Sequence, residues 1–176
     1  MKSADVYKTL RTAIGAWAKS AGFKRGRSGM LAFERASSDG KEVLTFWFQC
    51  SQDGWDRFTG SQFTVEFQIA PEPGPGHGPK RERFFRLLTP DERERVRLLQ
   101  NRVIEKLEQP PPEHWAHTAD PGLKSFYFAG FTPLTEPYSP SQDVWLRYVE
   151  EADVRQWADF LLPLLPRLIE DFSKQE

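Results

Sequence analysis

Residues 61–70, Ser-Gln-Phe-Thr-Val-Glu-Phe-Gln-Ile-Ala, alternate apolar and polar side chains almost without a break. A period of two belongs to a β-strand with one covered face. Phe63, Val65, Phe67 and Ile69 are expected on a core, with Gln62, Thr64, Glu66 and Gln68 facing water or a ligand. A sheet packed on one face is the antiparallel kind. The stretch before it, residues 42–51, is apolar on both parities: Leu44, Phe46, Phe48 and Cys50 alternate with Val43, Thr45 and Trp47. Such a strand is central and covered on both faces, or covered on one and carrying an aromatic patch on the other. Residues 30–35 read as another strand, and Asp39-Gly40 supplies the turn that joins it to residues 42–51 as a hairpin. The connection 51–60 is long for a hairpin and places Trp55 and Phe58 on a loop.

Helices flank these strands. Tyr7, Leu10, Ile14, Trp17 and Ala21 recur at spacings of three and four, with Ser3 as N-cap and Gly22 as stop, so the pattern predicts a helix over about residues 4–21. Residues 71–79 hold four prolines and three glycines and cannot be regular structure. Residues 80–88 read as a short amphipathic helix. Thr89-Pro90-Asp91-Glu92 is a capping box with proline at the first helical position, opening a helix striped by Val96, Leu99, Val103 and Leu107. Gln109 and the prolines 110–112 end it. Strands are expected at 126–131 and 143–149. A last helix begins on the acids Glu150, Glu151 and Asp153, with Trp157, Leu161, Leu164, Leu168 and Phe172 buried and Pro163 and Pro166 interrupting it. Runs of strands rather than strict strand–helix alternation predict an α+β domain. The expected form is one domain over residues 1–176, an antiparallel sheet of about five strands with N-terminal, central and C-terminal helices packed mostly on one face.

Several short motifs resemble one bacterial family. They are the helix-ending Gly22-Phe23-Lys24-Arg25, the strand end Gln49 to Ser51, the spaced Phe63, Val65 and Phe67, and residues 144–149 ahead of an acidic helix start. In these the chain resembles the family known as domain of unknown function 4304. The resemblance covers residues 1–70 and 142–176, not the Pro/Gly tract or residues 80–140. That family has no established catalytic residues, so the resemblance implies none here.

Candidate chemistry is sparse. Lys24, Arg25 and Arg27 crowd between a helix and a strand, where they bind a phosphate or an acidic partner, or form a solvated joint. The negative end of the preceding helix accounts for cations there, and the joint is the preferred reading. His114 and His117 sit three apart beside Glu113 and Asp120, but prolines bracket them and a closed zinc site wants four ligands, so no metal is expected. Cys50 is the single cysteine, which excludes an internal disulfide and suits a reducing cytosol. It ends an apolar strand, where cysteine is usually an inert small hydrophobe. The N-terminus lacks the apolar run of a signal peptide, and no apolar stretch is long enough to cross a membrane. Arginines and aromatics mix in residues 80–97, yet four acids interrupt them, which speaks against nucleic acid.

Charge is uneven: residues 1–40 carry a net +5 and residues 109–176 a net −6. With no catalytic constellation and no cofactor motif, the lead expectation is a cytosolic protein-interaction domain. Its concrete form is an immunity-type protein whose acidic surface steers a basic toxin. Trp55, Phe58 and Trp115 are the candidate anchors. The competing expectation is a small-ligand binder or enzyme with a pocket over the sheet near Gln49, Glu66 and Arg35.

Overall fold

The computed structural model describes residues 1–76, 78–109 and 130–175. The first helix, α1 (Ser3–Ser20), buries Val6, Leu10, Ile14 and Ala18. Lys2 rather than Ser3 is its N-cap residue, and the Asp5 carboxylate accepts from the Lys2 backbone N–H at 3.0 Å. Gly22, at φ 83°, turns the chain out of the helix while the Phe23 N–H still reaches back to the Ala18 carbonyl at 2.9 Å.

Among the described residues six antiparallel strands follow: β1 (Lys24–Arg25), β2 (Leu31–Ala36), β3 (Val43–Cys50), β4 (Ser61–Ala70), β5 (Lys80–Arg83) and β6 (Leu146–Tyr148). The first five lie side by side in chain order. β3 takes one edge of β4 along its length, from Val43 opposite Ala70 to Cys50 opposite Phe63. The other edge is divided: β6 pairs with Ser61–Phe63 and β5 with residues 66–69. The outer edge of β6 is closed by side chains instead of a strand. Gln100 donates to the Trp145 carbonyl at 2.9 Å and accepts from the Arg147 N–H at 2.8 Å, and the Trp157 indole donates to the Arg147 carbonyl at 2.7 Å. An edge satisfied in this way offers no template for a further strand.

Register sorts the side chains. Leu31 and Phe33 of β2, Phe46 and Phe48 of β3, and Phe63, Val65 and Phe67 of β4 form one continuous face, buried beneath helices. Phe33 stacks on Phe46 with centroids 5.0 Å apart, and Phe23 meets Phe46 edge-on at 5.1 Å. Trp17 of α1 approaches Phe46 at 6.1 Å. Phe172 approaches Phe67 at 5.7 Å from the last helix. Each such aromatic pair adds about 0.5–1.5 kcal/mol beyond the area it buries. The α+β class, the antiparallel sheet and the helices over one face are therefore as the sequence predicts.

Other expectations change. Residues 80–88 do not form an amphipathic helix: Lys80–Arg83 is β5, and Phe84–Leu87 is a single 3₁₀ turn that drives Phe84 and Phe85 into the core. The open half of the β4 edge overrides the local helical pattern. Helix α2 (Pro90–Ile104) starts at the predicted box, with the Thr89 hydroxyl accepting from the Glu92 N–H at 3.3 Å and Glu92 from the Thr89 N–H at 2.8 Å. It stops at Ile104, short of the prolines. The strand expected at 143–149 is only Leu146–Tyr148. Residues 126–129 of the other expected strand lie outside the described residues, and Gly130 and Phe131 form a turn. The last helix is two, α3 (Glu151–Leu161) and α4 (Leu165–Lys174), parted near Pro163. Among the described residues no helix is long and apolar enough to cross a membrane.

Candidate functional site

The face of the sheet opposite the phenylalanines was expected to meet water or a ligand along β4, and to be covered or to carry an aromatic patch along β3. It is buried. Thr45 and Trp47 of β3 and Thr64, Glu66 and Gln68 of β4 all lie within it, and none has appreciable exposure. Trp47 stands opposite Glu66, which in turn faces Arg83 of β5. A carboxylate taken out of water needs pairing. Arg81 and Arg83 supply it: Arg81 binds Oε2, and Arg83 Nε stands 3.4 Å from Oε1. The second contact has the distance of an ion pair but not the alignment of a hydrogen bond. Among the described residues Glu66 Oε1, Thr45 Oγ1 and Thr64 Oγ1 have no hydrogen-bond partner.

Arginines continue the network outward. The Arg81 guanidinium lies over the Trp47 ring at 5.2 Å, and that of Arg83 over Trp145 at 5.2 Å. Arg83 also binds the Asp143 carboxylate. Desolvation works to raise the Asp143 carboxyl, but the Arg83 hydrogen bond and charge prevail and hold it below its ordinary value. Beside Glu66 opens a cleft of about 440 Å³, which Arg81, Arg83, Arg86 and Asp143 help to line. Gln68 pins the Pro/Gly tract across the same face. Its amide donates to the Gly74 carbonyl at 3.1 Å and accepts from the Gly76 and Gly78 N–H groups, each at 3.2 Å.

A second surface is built by the loop 51–60. Asp56 Oδ1 accepts from the Phe58 and Thr59 N–H groups at 2.8 and 3.1 Å, folding the loop back on itself. Gly60, at φ 66°, closes it against β6, where a Cβ would sit 2.1 Å from the Tyr148 carbonyl oxygen. This leaves Trp55 outside. Its indole N–H donates to the Val149 carbonyl at 3.0 Å while the residue stays 41% exposed. Met1, Ser3, Ser61 and Tyr148 complete a cleft of about 480 Å³ beneath it. From Met1 a groove of about 690 Å³ continues between α1 and α3, past Asp5, Lys8, Glu151 and Asp159.

The structure separates the other residues singled out above. Phe58 is 8% exposed and lies under the Arg57 guanidinium at 4.6 Å, a core residue beneath its loop. Gln49 shares the polar face with Glu66, but Arg35 is on the phenylalanine face. There its guanidinium covers Phe23 at 4.5 Å and donates to the Ala21 carbonyl at 3.0 Å, closing the end of α1. A pocket joining Gln49, Glu66 and Arg35 therefore does not form. Lys24, Arg25 and Arg27 are exposed, and Arg25 Nη1 donates to the Gly26 and Ala32 carbonyls at 2.9 and 3.1 Å. Trp115, His77, His114 and His117 lie outside the described residues.

Burial pushes the Cys50 thiol up, against hydrogen bonds from Tyr7, Ser3 and Tyr148, so it stays protonated at neutral pH and is no ready nucleophile. Among the described residues no group of three or more His, Cys, Asp or Glu side chains is placed to hold a metal ion. The sequence reading placed Trp47 on this face without the arginine that covers it, and missed Arg81, Arg83 and Asp143. The alternation of Arg81 and Arg83 in the 80–83 stretch was the available signal. No protein-family model, curated protein or solved structure matches the chain.

Proposed function

We propose that the protein is a cytosolic protein-binding domain whose partner docks over Trp55. An immunity-type role, masking a toxin, is its concrete form. The pose of Trp55 carries this reading. A large aromatic side chain is held out to solvent by a hydrogen bond from its own indole to the Val149 carbonyl. Tryptophan is enriched among the few residues that dominate binding energy at interfaces. A side chain already fixed in its bound pose also loses little conformational freedom on association. The adjoining clefts along Met1 and the α1–α3 groove give a partner relief to grip.

The test compares the tagged wild-type chain with Trp55→Ala, expressed in the native host. One chain should co-purify with the wild type and be lost with the variant. Calorimetry on the purified pair should show at least about tenfold weaker binding for Trp55→Ala, the range of an interface hot spot. A partner held equally by both proteins, or no partner at all, overturns the reading. A partner without toxicity removes the immunity form and leaves the docking surface.

A further inference from the structure

We propose that the cleft between the end of α1 and α4 binds an apolar monocarboxylate, in the manner of a medium-chain fatty acid, with Arg35 holding its carboxylate. The cleft measures about 360 Å³, within the range of small-molecule sites. Trp17, Ala21 and Pro166 give it apolar walls over a floor of Phe23 and Ile169. Trp17 and Ala21 are half-buried and Pro166 is exposed, so the walls are open to an incoming molecule. Arg35 is the cation among the lining residues. Its guanidinium is held at two points: its face lies on the Phe23 ring at 4.5 Å, and Nη1 donates to the Ala21 carbonyl at 3.0 Å. Neither contact uses the edge formed by Nε and Nη2. Among the described residues nothing accepts from that edge and no acid pairs with it, and both nitrogens reach solvent.

The lining selects the class of ligand. Glu170 is the acid beside the cleft, and Lys174 already neutralises it at 2.6 Å. The Arg35 charge is left for a ligand to balance. Two parallel donors on one edge match the two oxygens and the single charge of a carboxylate. A phosphate dianion would want a second cation, and Arg35 is the one in the lining. The apolar walls favour a hydrocarbon tail, which leaves water as it settles on Trp17 and Pro166. A guanidinium already fixed by Phe23 and Ala21 also loses little freedom when the ligand arrives. No residue lines both this cleft and the one beneath Trp55, so the site does not depend on the reading given for that surface.

Octanoate is the probe, with two controls: octanol, which keeps the tail without the charge, and acetate, which keeps the charge without the tail. Calorimetry and thermal shift at about 1 mM ligand should show binding and stabilisation by octanoate, with both controls at least about tenfold weaker. Arg35→Gln should weaken octanoate at least about tenfold, as expected for loss of a charge-assisted hydrogen bond. In nitrogen-15 spectra of the wild type, the Arg35 Nε–H resonance should shift with octanoate and stay in place with octanol, a readout that stands even if the variant does not fold. Trp55→Ala should bind octanoate as the wild type does, so failure here and failure of the docking surface are told apart. The proposal falls if octanoate does not bind, if either control binds as tightly, if folded Arg35→Gln binds unchanged, if the Arg35 resonance does not move, or if Trp55→Ala abolishes binding.

Discussion

Replacing Gly60 with alanine tests how the Trp55 loop is locked to the sheet. Two costs add at this position. The left-handed conformation, φ 66°, costs an L-residue about 1–2 kcal/mol. The new methyl would also lie 2.1 Å from the Tyr148 carbonyl oxygen, a backbone atom that cannot swing aside. Relieving that contact means shifting β6 away from β4, comparable to overpacking a core at about 1–3 kcal/mol. The expected total is about 2–5 kcal/mol, a fall in Tm of roughly 4–20 °C for a chain of this size. Gly40→Ala is the control. Gly40 has nearly the same φ, 70°, but nothing lies within 4 Å of its added Cβ. Urea denaturation of the two variants therefore isolates the steric part. The argument is refuted if Gly60→Ala is no less stable than Gly40→Ala.

Gln68→Ala should remove the three hydrogen bonds that hold the Pro/Gly tract, at a cost of about 1–3 kcal/mol. Limited proteolysis should then cut within residues 71–79 faster than in the wild type, and an unchanged rate would count against the pinning role. Tyr7 should titrate late: burial, reinforced by Cys50, pushes its phenol up to about 12. Its folded pKa lies above the unfolded value of about 10, so its contribution to stability is full below that pH and is lost as pH rises through the folded value. Difference titration of tyrosinate absorbance against Tyr7→Phe checks this, and a missing component near the ordinary tyrosine pKa would contradict it.

Local order in the sequence was enough for β4, whose residues 62–69 keep a strict period of two, and for the start of α2, whose box consists of four adjacent residues. It was not enough where a distant edge decided the outcome. Phe84, Phe85, Leu87 and Leu88 suggest a helix by spacing, yet Lys80–Arg83 is drawn out as a strand by unpaired groups on β4. Alternation also tells which side chains share a face without telling what covers it. Glu66 and Gln68 read as facing water or a ligand, and the partners that bury them, Trp47, Arg81 and the backbone of Gly74, Gly76 and Gly78, come into view only with the register. Parity cannot relate one strand to the next either. Arg35 and Glu66 were grouped in one pocket, and the pairing of Arg35 with Leu44 puts them on opposite sides. Trp55 and Phe58 look alike as loop aromatics, and only the Asp56 turn separates the one that points out from the one that points in.

The Gln100 side chain grips both a carbonyl and an amide of the chain around β6, and the neighbouring Asn101 holds Leu134 by both its N–H and its carbonyl. Helix α2 therefore clamps the returning chain at more than one point, so the seating of β6 against β4 is set from the helix as well as from the sheet.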